Sequence, residues 1–135
     1  MLTGLKIKYV LMIKILSALL LFIVISCQTA GDRKGIAFSI ENKSDHAIEY
    51  VRFTTSEHLH ECVFDLIQPN DKVFDFLNMQ ENQIDGSYVL EFNRKGKSKT
   101  VKSFGYYTNG GPLDKRVSIQ IKNDTILSDF KGIPY

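Results

Sequence analysis

The densest run of chemistry-bearing side chains is His58-Leu59-His60-Glu61-Cys62. On a strand, residues two apart share a face, so His58, His60 and Cys62 would project together. Two imidazoles and a thiolate suit zinc or copper, and Glu57 or Glu61 stands near enough in sequence to offer a fourth ligand. The competing reading starts from the residues that follow. Phe64 and Leu66 continue the same face, which makes Cys62 a core thiol and leaves the two histidines in the preceding loop.

Two other stretches could bind rather than react. Arg94-Lys95-Gly96-Lys97-Ser98-Lys99, continuing to Lys102, is a basic hairpin able to meet lipid headgroups, an anionic glycan or an acidic protein face. Lysines so placed also keep an edge strand from pairing with another chain, and that plainer role is preferred. Phe104-Gly105-Tyr106-Tyr107-Thr108-Asn109-Gly110-Gly111-Pro112 sets paired tyrosines beside a glycine-rich loop. Tyr106, Tyr107 and Asn109 are therefore the leading candidates for an exposed aromatic platform that takes a sugar or peptide. Against this, one tyrosine could pack at a sandwich corner while the glycines allow a sharp turn.

Catalysis has little to build on. The chain holds no Gly-x-Ser-x-Gly elbow, His-Glu-x-x-His, Gly-rich phosphate loop or Cys-x-x-Cys. Asp65, Asp71 and Asp75 are scattered among different strands. The expectation is a protein that is not an enzyme and carries no cofactor.

The first 26 residues say where the chain goes. Lys6, Lys8 and Lys14 make a positive region ahead of Ile15 to Ile25, eleven residues without a charge. That run fits a signal peptide better than the ~20 apolar residues needed to span a bilayer. Met12 opens an equally complete short signal. The run ends in Val24-Ile25-Ser26-Cys27, which resembles the lipobox of bacterial lipoproteins. The resemblance implies diacylglyceryl transfer to the Cys27 thiol, cleavage after Ser26 and acylation of the new amine. With burial worth ~0.8 kcal/mol per methylene, two or three chains would hold the protein firmly on a membrane. Gln28 stands where an aspartate would mark inner-membrane retention, so the resemblance points to the outer membrane. A lipobox followed by about a hundred β-rich residues is similar to the small lipoproteins of Gram-negative envelopes.

Cleavage also changes the charge. Seventeen basic residues lose Lys6, Lys8 and Lys14, leaving fourteen against fifteen acids. A net charge of about −1 gives no global attraction to nucleic acid. With Cys27 used by the lipid, Cys62 has no partner, and the exported fold must stand on its core without a disulfide.

Alternating residues specify that core. Ile36, Phe38 and Ile40, then Tyr88, Leu90 and Phe92, then Val117, Ile119 and Ile121 each place one apolar face on a strand. Weaker strands are expected over 47–55, 62–67, 72–77, 97–104 and 125–130, separated by turn-forming residues such as Asn42-Lys43-Ser44-Asp45 and Gln68-Pro69-Asn70-Asp71. About eight strands at this spacing predict an all-β, antiparallel, immunoglobulin-like β-sandwich following an N-terminal signal helix. The expected layout is a lipoprotein signal peptide over 1–26, the lipidated cysteine and a polar tether over 27–35, and the sandwich over 36–135. The function this supports is a membrane-anchored envelope module that binds a protein or glycan. The alternatives are a copper- or zinc-binding envelope protein through His58, His60 and Cys62, or an inhibitor or immunity-type lipoprotein.

Overall fold

The structure is a computed structural model that describes residues 2–25 and 33–132, so Cys27 lies outside the described residues. It divides into two compact units, Met1–Arg33 and Lys34–Tyr135. The first contains α1 (Leu2–Ile25). Among the described residues, no helix is long and apolar enough to cross a membrane.

The second unit is all β. Its strands are β1 (Gly35–Asn42), β2 (Ile48–Thr55), β3 (Glu61–Ile67), β4 (Lys72–Asn78), β5 (Gly86–Arg94), β6 (Thr100–Thr108), the two-residue β7 (Gly111–Pro112), β8 (Asp114–Ile121) and β9 (Ile126–Gly132). β1 begins at Gly35, inside the stretch read as tether, because Gly35 already pairs with Asn78. Two sheets form, one ordered β4-β1-β8-β9 and the other β3-β2-β5-β6-β7. Every pairing is antiparallel except β1 with β8, which run parallel. The architecture is the expected sandwich with one parallel pair at the centre of the first sheet.

The alternating residues supply the layer between the sheets. Ile36, Phe38 and Ile40 of β1 and Val117, Ile119 and Ile121 of β8 are buried against Val51 and Phe53 of β2 and Tyr88, Leu90 and Phe92 of β5. Phe38 and Phe53 meet across the sheets with ring centroids 4.4 Å apart. The strand directions sort the loops into two ends. Lys34, the 56–60 turn, the 79–85 loop and the β6–β7 turn share the end where the chain enters. The 43–47 loop, the β5–β6 hairpin and the β8–β9 hairpin share the far end, as the Lys43 N–H bond to the Ile121 carbonyl (2.7 Å) and the Ile48–Arg94 pairing require.

Candidate functional site

The entry end holds the tyrosine loop, and its side chains are tied down rather than presented. Tyr107 is fully buried, and its hydroxyl donates to Glu57 Oε2 at 2.9 Å. Asn82 Nδ2 donates to the same oxygen at 2.6 Å and to Thr55 Oγ1 at 2.9 Å, while the Gln83 and Ile84 N–H groups reach Glu57 Oε1. Burial pushes the Glu57 carboxyl up, but these hydrogen bonds outweigh it and leave it below its ordinary value. Beside it, Asp85 accepts from the Tyr106 hydroxyl (2.7 Å), Thr108 Oγ1 (2.9 Å) and the Asn109 N–H (2.7 Å). Of the expected platform Tyr106, at 51%, and Asn109 are exposed, while Tyr107 is not. The paired-tyrosine surface is therefore corrected: Tyr107 is core, and Asn109 is a turn residue at φ 49° bound to Asp85 through its backbone.

The reason lies at Gly105. Its φ of 67° makes a bulge in β6, where the pairing with β5 shifts between Tyr88 and Gly86. One extra residue reverses the faces beyond it. Phe104 and Tyr107 thus both turn inward, and Tyr106 turns out.

The metal reading is corrected as well. Among the described residues, no three His, Cys, Asp or Glu side chains converge as a metal site. His58 sits in the turn at φ 54° with Nδ1 3.0 Å from Arg52 Nη2, while His60 Nε2 faces Glu81 at 3.5 Å. Cys62 packs against the core with Sγ directed to the Phe76 carbonyl. Burial, with Asp75 adding to it, pushes its thiol up to about 11, which disfavours the thiolate a metal needs. His58 leaves the strand before its face is established, so alternation does not reach it.

The far end behaves differently. A cavity of about 420 Å³ opens between the β5–β6 and β8–β9 hairpins, lined by Arg94, Lys97, Ser98, Thr100, Lys102 and residues 123–126. An adjoining hollow of about 290 Å³ continues it past Lys95 to His46 and Asp45. Its frame is fixed. Asp45 and Asn123 exchange two hydrogen bonds, at 3.0 and 2.7 Å, tying the 43–47 loop to the β8–β9 hairpin. Arg94 donates to the Lys122 carbonyl at 2.5 Å and lies 5.4 Å from the centroid of the Phe92 ring. Lys99, by contrast, is occupied by Glu91 at 2.6 Å. Among the described residues Arg94, Lys95, Lys97 and Lys102 have no carboxylate within ion-pair distance. Asp124 is the acid lining the larger cavity. The hairpin's cations were visible in the sequence, whereas Asn123 to Ile126 join them only through the closure of the sandwich.

No protein-family model matches the chain, and no curated protein matches it. A solved NMR structure of a protein from Eubacterium rectale is similar in fold, with a TM-score of 0.53 and 12% identity over 76% of this chain and 96% of that one. At that identity the likeness concerns the fold alone.

Proposed function

We propose that this protein is a lipid-anchored envelope module that binds an anionic glycan and performs no catalysis. The observation that carries the reading is the far-end cavity with Arg94, Lys97 and Lys102, which have no ion-pair partner among the described residues. Within the sandwich, that cavity lies at the opposite end from Lys34. The lipobox residues Val24-Ile25-Ser26-Cys27 support the anchor, and Gln28 supports the outer membrane. The hydrogen bond from Arg94 to the Lys122 carbonyl and the Asp45–Asn123 pair behind it hold the guanidinium in place, so an anion meets one positioned cation.

Two measurements test the two halves of the proposal. In a Gram-negative host, the wild type is expected to incorporate a fatty-acid label and fractionate with the outer membrane. Cys27→Ser should take no label; equal labelling would end the lipoprotein reading. For the site, the full chain in neutral detergent is titrated with an acidic oligosaccharide at low and moderate salt. Binding should weaken with salt and fall at least tenfold in Lys97→Gln/Lys102→Gln. Binding that ignores both overturns the far-end site.

A further inference from the structure

We infer that the outer face of the β4-β1-β8-β9 sheet carries a second ligand subsite that takes one carboxylate-bearing pyranose ring, stacked on Phe74 and held through its carboxylate by Arg116. The inference rests on the proposed ligand class but uses other residues. Strand register builds the place. Phe74 of β4 pairs with Ser39 of β1, and Ser39 pairs with Ser118 of β8, so an aromatic ring stands beside two small side chains in one row. In the next row Phe76 pairs with Ala37, and Ala37 with Arg116. Ala37, Ser39 and Ser118 thus floor a hollow of about 280 Å³, with Phe74 and Lys72 on one side and Arg116 on the other.

Phe74 is 70% exposed, more than any other large apolar side chain described in the sandwich. A phenyl ring left in water beside a shallow trough offers a flat apolar face, and the C–H-rich face of a pyranose matches it. Lys72 lies 5.1 Å from the centroid of this ring, and Arg116 has no ion-pair partner among the described residues. Carboxylates also stand nearby: Asp75 lines the hollow, and Asp129 of β9 pairs with Ser118 in the Phe74 row. Glu41 is bound by Lys43 at 2.8 Å and Gln120 at 3.3 Å, and Asp75 caps the Phe76 N–H at 2.7 Å.

Arg116, without an ion-pair partner among the described residues, and Lys72 beside the ring can receive an anion with a planar face. A guanidinium grips a carboxylate through two parallel hydrogen bonds, which fixes the orientation of the sugar.

The test titrates the full chain in neutral detergent with tetragalacturonic acid, and in parallel with the same oligosaccharide after reduction of its carboxyl groups. Calorimetry gives affinity, and amide shifts at Ser39 and Ser118 locate the ring. Saturable binding that moves those amides is expected, with a loss of tenfold or more in Phe74→Ala and in Arg116→Gln. Both side chains are exposed, so unchanged melting temperatures will accompany the loss. Three results overturn the subsite: no binding of the acid oligosaccharide, equal binding of the reduced one, or affinity untouched by Phe74→Ala. Binding lost only in Lys97→Gln/Lys102→Gln likewise removes it while leaving the far-end cavity standing. The converse pattern, lost only in the Phe74 and Arg116 variants, keeps the subsite and removes the cavity.

Discussion

The Tyr107 hydroxyl and the Glu57 carboxylate join the core to the loop that closes over it. The Tyr107 ring lies 5.7 Å from that of Tyr88 inside the sandwich, while its oxygen reaches the carboxylate at 2.9 Å. Tyr107→Phe keeps the ring and removes the donor, so a loss of about 1 kcal/mol is expected in urea unfolding. Tyr107→Ala also opens a cavity and should cost about 3–5 kcal/mol. Equal losses in the two variants would mean that the ring contributes nothing. The acids at this end set a pH dependence as well. For Asp85, hydrogen bonds from Tyr106, Asn109 and Thr108 hold the carboxyl below its ordinary 3.8, and Glu57 lies below its ordinary 4.5. A carboxyl depressed by folding stabilises the native state above its unfolded value and loses that contribution as pH falls through the folded one. Stability should hold down to about pH 5 and then fall as pH drops through and below the ordinary carboxylate range. Glu57→Gln/Asp85→Asn should flatten that fall, and an unchanged slope would place the sensitivity elsewhere.

Turns and bulges, more than strands, decided what could be read from the sequence. All eight expected segments, three cleanly alternating and five weaker, became strands, since one apolar side per strand is a direct consequence of a two-layer core. The candidate site depended on face, and face is reversed by one inserted residue. Gly105 within a strand-like run was the available signal for that bulge. Asn109-Gly110 was a second one. Both residues have positive φ, 49° and 70°, and they join Thr108 to its partner Gly111 as a two-residue hairpin. Asn-Gly was thus a turn signature rather than part of a binding loop. Gly110 is further confined because a Cβ there would collide with the Asn82 backbone, while its own N–H donates to the Ile84 carbonyl at 2.9 Å. Gly110→Ala should therefore cost more than the ~1 kcal/mol of left-handed strain alone, seen as a lowered melting temperature. Gly96→Ala is the control: it has a similar φ of 72° with open space around it, and it should cost only that strain. If the two substitutions cost the same, the packing of the β6–β7 turn on the 79–85 loop contributes nothing.

At the scale of the whole sandwich, the outer faces differ as much as the inner ones agree. Arg52, Glu61 and Glu91 form an ion-pair ladder over the β2, β3 and β5 face, joined by Lys99 from the β5–β6 turn, while the other sheet shows Phe74 beside small residues. That contrast was legible only in part, because Lys72 to Leu77 carries apolar residues on both faces and alternation does not say which face is covered. Sheet order was not legible. Every core strand offers the same kind of inward face, and the parallel pairing of β1 with β8 joins segments far apart in the chain. Closure therefore depends on contacts between the sheets, of which the Phe38–Phe53 pair at 4.4 Å is the tightest aromatic one. Truncating both rings to alanine would cost about 3–5 kcal/mol each, comparable with the whole stability of a small domain, and would leave nothing to measure. Phe38→Leu and Phe53→Leu are gentler, and with their double variant they form a cycle. A coupling of about 1 kcal/mol is expected if the rings touch across the layer, since aromatic pairs contribute that much beyond the area they bury. Additive losses would mean that the two sheets do not meet at these rings, and the placement of β1 opposite β2 would then have to be redrawn.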